Sequence, residues 1–202
     1  MRNSISISLL FLLLISCKVQ SPKVAYTIPK PFIVEAGKSL VYRASFNYKD
    51  YHFSGLCVFK KIEERNIRVV FLNEMGMTFM DFELTPSDLI VHKMVDQLNR
   101  GILLGFIEND FRQLLMTDLF EPKRVNLKKI ETSNAFQARD KLRTTYFIEK
   151  EGGKIARSVR MGFLGAKKSS VSYEYRSGNI PEEIMLKHYQ VKMNLKLTLL
   201  EK

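Results

Sequence analysis

Between Leu40 and Lys49 the chain alternates: Leu40, Tyr42, Ala44, Phe46 and Tyr48 share one parity, and Val41, Arg43, Ser45, Asn47 and Lys49 share the other. A period of two with one apolar and one mostly polar face predicts a strand of an antiparallel sheet that is wet on one side. Further strands are predicted over Phe53 to Ile62, over Leu89 to Val95 after the turn Thr85-Pro86-Ser87-Asp88, and over the two arms of a hairpin spanning Ile67 to Leu84. The hairpin turns at Asn73-Glu74-Met75-Gly76, whose last residue is glycine. Such closely spaced reversals describe a meander. Near Asp96 the pattern changes to Gly101-Ile-Leu-Leu-Gly-Phe-Ile, and beyond Asn109 the spacing of Phe111, Leu114, Leu115 and Leu119 predicts a helix face begun by an Asn cap. Strands resume over Val125 to Ile130, Arg143 to Glu149, Ile155 to Phe163 and Ser170 to Tyr175, with Glu151-Gly152-Gly153-Lys154 as a hairpin turn. After Ile180-Pro181 a last long run keeps Tyr189, Val191, Met193, Leu195, Leu197 and Leu199 on one face. No internal repeat interrupts the series. The expected fold is mainly β: one curved antiparallel sheet of about nine or ten strands, an unclosed half-barrel with a short helical cover.

A sheet with one continuous apolar face buries that face by curling into a barrel or by covering it with helices, and helical residues are few here. An incompletely filled apolar cavity is the expected result, lined by Val69, Phe71, Met80, Phe82, Leu195 and Leu197. It would accept alkyl chains, each buried methylene contributing roughly 0.8 kcal/mol. The same residues could equally pack against the helix, and periodicity does not separate the two arrangements. The hairpin turn is unusual. Exposed turns are ordinarily polar, yet this one carries Met75 and Met77 around Gly76, an apolar tip that points to a contact surface, membrane lipid being one candidate.

The N-terminus changes the setting. Arg2 precedes an apolar run from Ile5 to Ile15, too short to span a bilayer, which closes in Leu14-Ile15-Ser16-Cys17. Residues 1–16 are expected to be a lipoprotein signal peptide, with Cys17 receiving a diacylglyceryl group as the new N-terminus. Its removal leaves 186 residues and takes away only Arg2 among the charges, lowering the formal net charge from +11 to +10. Residues 17–36 read as anchor and tether: Lys18 to Pro31 holds three Pro, three Lys and no acid, with a reach of roughly 20 to 25 Å. Residues 37–202 form the domain. The basic balance favours anionic head groups by about 1 kcal/mol per tether lysine at most, and an exported, anchored chain with scattered basic residues is not expected to meet nucleic acid. With Cys17 acylated, Cys57 in Leu56-Cys57-Val58-Phe59 has no disulfide partner and reads as a buried structural thiol.

Catalytic and metal constellations are not expected. His52, His92 and His188 lack metal-site spacing, and neither a Gly-x-Ser-x-Gly elbow nor a phosphate loop occurs. Glu63-Glu64 and Glu182-Glu183 fall at turns, and Asp81 with Glu83 falls on a polar strand face, so none reads as a hydrolytic pair. A non-enzymatic protein without cofactor or metal follows.

The succession of Cys17, a meander, Asn73-Glu74-Met75-Gly76, Leu84-Thr85-Pro86, a helical insert and Ile180-Pro181-Glu182-Glu183-Ile184 before the last strand resembles the LolA/LolB family of outer-membrane lipoprotein carriers and receptors. The resemblance covers most of Leu40 to Leu200. It implies an unclosed barrel with a helical lid, an apolar cavity for lipoprotein acyl chains and, in the anchored branch, an exposed Leu in an Asn-Pro-Leu-Gly turn that helps deliver cargo to the membrane. Met75 stands at the corresponding place and Glu74 replaces the Pro, while the insert Asp96 to Leu119 is short for the family's cover. The partners so implied are a membrane through the acyl anchor, acyl chains of lipoprotein or lipid cargo, and a periplasmic carrier as donor. The implied location is the outer membrane, facing the periplasm. The alternative is an envelope interaction module of the same fold with a filled core and no lipid cargo.

Overall fold

The computed structural model describes Ile28, Phe32 and residues 38–201, apart from 64, 97, 120–125, 131–132 and 141–142. The expected export signal, Cys17 and the lysines of the expected tether, Lys18, Lys23 and Lys30, lie outside the described residues. Five strands come first: β1 Ser39–Tyr48, β2 Tyr51–Lys61, β3 Ile67–Asn73, β4 Thr78–Leu84 and β5 Leu89–Met94. Helix α1 Gly101–Leu114 follows with a 3₁₀ turn at Thr117–Leu119, and then β6 Asn126–Ile130, β7 Ala135–Arg139 and β8 Thr144–Lys150. The chain ends in β9 Lys154–Met161, β10 Lys167–Glu174, β11 Glu183–His188 and β12 Met193–Glu201.

These twelve strands make one antiparallel sheet in the order β5-β4-β3-β2-β1-β12-β11-β10-β9-β8-β7-β6. The first and last strands of the domain pair in its middle, Tyr42 opposite Leu199 and Phe46 opposite Leu195, so two meanders are joined along β1 and β12. Strands β5 and β6 remain as edges. The sheet is therefore an unclosed half-barrel with one helix across it. Both edges are short and carry Lys93 or Lys128 and Lys129, which discourages pairing with another chain.

Alternation sets the inner face. Leu40, Tyr42, Ala44, Val69, Phe71, Phe82 and Leu197 are buried there, with Phe59, Phe136 and Phe147 wholly so. Each fully buried Phe or Leu contributes about 1.5 to 3 kcal/mol. The outer face is held by charge pairs such as Arg68–Asp81, whose two hydrogen bonds measure 2.8 and 2.7 Å. Asn66 donates to Glu83 at 2.7 Å, so both acids of that strand are structural. Packing reaches back to Phe32, which is buried with its ring 6.1 Å from Tyr173. Among the described residues every strand and the hydrophobic core cluster lie C-terminal to Ile28, so a chain beginning at Lys18 retains all of them.

The structure corrects the sequence reading at three places. The final run is two strands: Tyr189 and Val191 lie in the turn between β11 and β12. Parity of apolar residues survives a four-residue reversal without Gly or Pro, so alternation alone cannot mark it. The short β7, Ala-Phe-Gln-Ala-Arg, carries no β-branched residue and was not anticipated. Helix α1 begins at Gly101, not at Asn109, which lies inside it; the residue before the helix is Arg100, with no side-chain cap, and Leu115 and Leu119 fall beyond the helix.

Candidate functional site

Helix α1 lies over the inner face of the half-barrel, and its two halves are held differently. In the C-terminal half Asp110, Phe111, Arg112, Gln113 and Leu114 are buried. The Phe111 ring meets Phe82 edge-on at 5.1 Å. Polar contacts then fix the helix to three parts of the sheet. The His188 Nε2 on β11 lies 2.8 Å from Asp110 Oδ2, with Arg160 of β9 3.5 Å from Asp110 Oδ1 and also donating to the Asn109 carbonyl. Arg112 donates to the carbonyls of Thr85 at 2.9 Å and Asp88 at 3.1 Å. Ser169 donates to Gln113 at 2.7 Å, and the Tyr173 hydroxyl reaches the Gln113 carbonyl at 2.9 Å. Burial lowers the pKa of the Arg160 guanidinium, an effect that the Asp110 carboxylate opposes. Burial likewise pushes the Tyr173 phenol well above its ordinary range, leaving it a neutral donor. His188, isolated in sequence, is thus a buried tie for the helix.

Among the described residues the N-terminal half has no such ties to the sheet. Its first turn holds no acid, Gly101 and Gly105 have open space around them, and Ile102 is exposed. Glycine in a helix interior is about 1 kcal/mol worse than alanine, and a missing cap costs about 0.5 to 2 kcal/mol more. Under this half lies an apolar cavity of about 50 Å³. Leu103, Phe106 and Ile107 of the helix form its roof and Phe71, Met80 and Leu195 its floor, with Phe46, Tyr48 and Met193 lining it from β1 and the start of β12 and Asp110 as the charged member of the lining. Of the six residues expected to line a cavity, Phe71, Met80 and Leu195 do so, whereas Val69, Phe82 and Leu197 are packed deeper in the core. The roof was not foreseen, because the helix was started eight residues late.

The β3–β4 turn is an ordered projection. The Asn73 side-chain oxygen accepts from the backbone N–H groups of Met75 at 3.0 Å and Met77 at 2.8 Å, and the Gly76 N–H donates to the Asn73 carbonyl at 3.0 Å. Gly76 supplies the left-handed φ of 79° that the turn needs. Ser54 on β2 donates to Glu74 at 2.5 Å. The turn is thereby braced without a proline, and Met75 and Met77 stand 79 % and 58 % exposed.

A second apolar tip was missed. The reading that ended a strand at Phe163 absorbed it, but β9 stops at Met161 and Phe163 and Leu164 occupy the β9–β10 turn, 81 % and 89 % exposed. Two glycines flanking an apolar pair, Gly162-Phe163-Leu164-Gly165, were the available signal. Cys57 is fully buried on β2, and burial raises its thiol pKa far above the reactive range. His52 hydrogen-bonds Asn47 at 2.7 Å, and among the described residues no three of His, Cys, Asp and Glu gather as metal ligands.

An unclosed antiparallel barrel roofed by one helix over an apolar pocket defines a LolA/LolB-like fold. One solved structure shares it: a LolA superfamily protein from Nitrosomonas europaea superposes with a TM-score of 0.51 at 8 % identity, over 81 % of this chain and 83 % of that one. A domain assigned to outer-membrane lipoprotein sorting from Vibrio parahaemolyticus gives 0.49 at 7 % identity, over 81 % and 83 %. The Mycobacterium tuberculosis lipoprotein LppX gives 0.28 at 11 % identity, over 80 % and 84 %. No protein-family profile and no curated protein sequence matches the chain. Identities this low carry the fold alone.

Proposed function

We propose that this chain is an envelope lipoprotein, anchored through Cys17 to the outer membrane, that receives an acyl chain of lipid or lipoprotein cargo beneath α1 and helps insert it into that membrane. The observation that carries the reading is the pocket: an apolar cavity beneath the uncapped half of a helix whose other half is fixed by buried polar bonds. At about 50 Å³ it is a third of the roughly 150 Å³ that holds one benzene, so an alkyl chain enters only as the N-terminal half of α1 lifts. Each methylene then buried against Phe71, Met80 and Leu195 contributes roughly 0.8 kcal/mol, and a difference of about 1.4 kcal/mol between donor and acceptor gives a tenfold direction to transfer. The fold shared with a protein of the LolA superfamily supports the same reading.

Organic extraction of the purified chain, followed by mass spectrometry, tests it: co-purified acyl lipid is expected, and none, together with no uptake of a fluorescent fatty acid, refutes it. In this reading Met75, Gly76 and Met77 touch the membrane during release. Met75→Glu in a chain beginning at Lys18 is expected to weaken liposome partitioning several-fold without changing the thermal transition, and unchanged partitioning removes the turn from the mechanism. The second reading, an interaction module without lipid, is favoured by one observation, the complete packing of Val69, Phe82 and Leu197.

A further inference from the structure

We propose that the β9–β10 turn and the lysines of the two neighbouring turns form a docking face for an anionic phospholipid bilayer. Gly162 N–H donates to the Ala166 carbonyl at 2.8 Å and Gly165 N–H to the Gly162 carbonyl at 3.0 Å, so the turn is a closed, ordered loop at the end of two eight-residue strands. Phe163 and Leu164 project from it almost fully into solvent. Adjacent large apolar side chains at a rigid tip gain nothing from water and need an apolar phase.

The surroundings say which phase. The backbone N–H of Tyr189 donates to the Lys168 carbonyl at 3.0 Å, and that of Lys49 to the Lys192 carbonyl at 2.8 Å, so the β9–β10, β11–β12 and β1–β2 turns stand side by side. The turns carry Lys49 and Lys192, with Lys167 and Lys168 at the start of β10, Lys187 at the end of β11 and Asp50 as the acid of the β1–β2 turn. An open basin of about 470 Å³ between the β1–β2 and β11–β12 turns is lined by Lys49, Lys187 and Lys192. Lysine is depleted in the cores of protein–protein interfaces, whereas an apolar tip ringed by lysines matches the headgroup boundary of an anionic bilayer, acyl region below and phosphates beside it.

The register gives this face a direction. Tyr48 opposes Met193, His188 opposes Ser169 and Lys167 opposes Met161, so the tip lies at the same end of the strands as the cavity-lining residues Tyr48 and Met193. The β3–β4 turn with Met75 is at that end too, since β3 and β1 run the same way. A chain docked by Phe163 and Leu164 therefore turns the end of the cavity lined by Tyr48 and Met193 toward the bilayer. Docking itself needs no cargo, so it stands or falls independently of lipid uptake.

The sequence contains no Trp, so Phe163→Trp installs a single indole at the tip. With a chain beginning at Lys18, mixing with phosphatidylglycerol-containing vesicles is expected to blue-shift its emission and make it quenchable by brominated lipid tails. Phosphatidylcholine vesicles and added salt are expected to weaken both signals. Phe163→Ser with Leu164→Ser is expected to lower sedimentation with the anionic vesicles about tenfold, and Lys167→Gln with Lys168→Gln by about fivefold per lysine, with thermal transitions and fatty-acid uptake unchanged. An indole that stays solvent-exposed on anionic vesicles, equal binding to neutral ones, or an unaffected Phe163/Leu164 double variant overturns the proposal. So does a tip that is buried only in a complex with another protein. Loss of fatty-acid uptake with docking intact counts instead against the cargo reading.

Discussion

Gly55 on β2 lies where a Cβ would overlap the Leu72 carbonyl on β3, so the close approach of these strands requires a residue without a side chain. Gly55→Ala is expected to cost about 1 to 3 kcal/mol in denaturant unfolding, by forcing two paired backbones apart; an unchanged midpoint would show that β3 shifts freely. Tyr189 behaves differently because its environment is electrical. A hydrogen bond with Lys167, then one with Ser170, lowers its phenol to a pKa of about 8, with Lys187 and Arg157 also facing it. A depressed acid contributes stability only above its folded pKa, so Tyr189 adds none at pH 7 and a contribution that grows from pH 8 towards the unfolded value of about 10. The new anion also sits among the docking lysines. Binding to anionic vesicles is expected to fall through pH 8, and Tyr189→Phe to remove that step while leaving binding at pH 7 intact; a step that persists in the variant assigns it to another group.

Helix α1 shows how far local sequence rules extend. Its C-terminal half follows the 3.6-residue spacing of Phe111 and Leu114 and was legible, whereas its N-terminal half has glycines at 101 and 105 and no cap, and only the tertiary position above the sheet makes it helical. Its polar ties were beyond reading for another reason: Asp110 and His188 are 78 residues apart, and no local pattern pairs them. The strands were legible where parity and a Gly or Pro turn agreed, as between β8 and β9, and illegible at the Tyr189–Lys192 reversal, which keeps the parity and has neither Gly nor Pro. A cavity floor of three residues was anticipated from parity alone. Its roof depended on where the helix starts. Since Gly105 has open space around it, Gly105→Ala is expected to add about 0.5 to 1 kcal/mol of stability and, by stiffening the roof, to slow fatty-acid entry several-fold. Faster entry with the same stabilisation would mean that the roof does not need to lift.

For the whole molecule the half-barrel resolves two demands on one sheet. Twelve strands with a continuous apolar face cannot remain flat and uncovered, and a single 14-residue helix covers that face only in part, tightly at one end and loosely at the other. The cavity residues Tyr48 and Met193, the Met75 turn and the Phe163–Leu164 turn share one end of the strands, while the start of β1 is at the opposite end. Ten residues of β1 span about 33 Å, and the 15 residues from Cys17 to Pro31, ahead of the buried Phe32, can extend to about 50 Å, so the proposed anchor at Cys17 permits that end of the strands to face the same membrane. Filling the pocket from its roof measures the central claim most directly. In a chain beginning at Lys18, fluorescent fatty acid is expected to bind saturably with one probe per chain, and Leu103→Trp, which places an indole in the cavity, is expected to weaken that binding at least tenfold while the thermal transition stays in place. Undiminished uptake by the Leu103→Trp chain, or no saturable uptake by the native one, would contradict an acyl-binding cavity beneath α1.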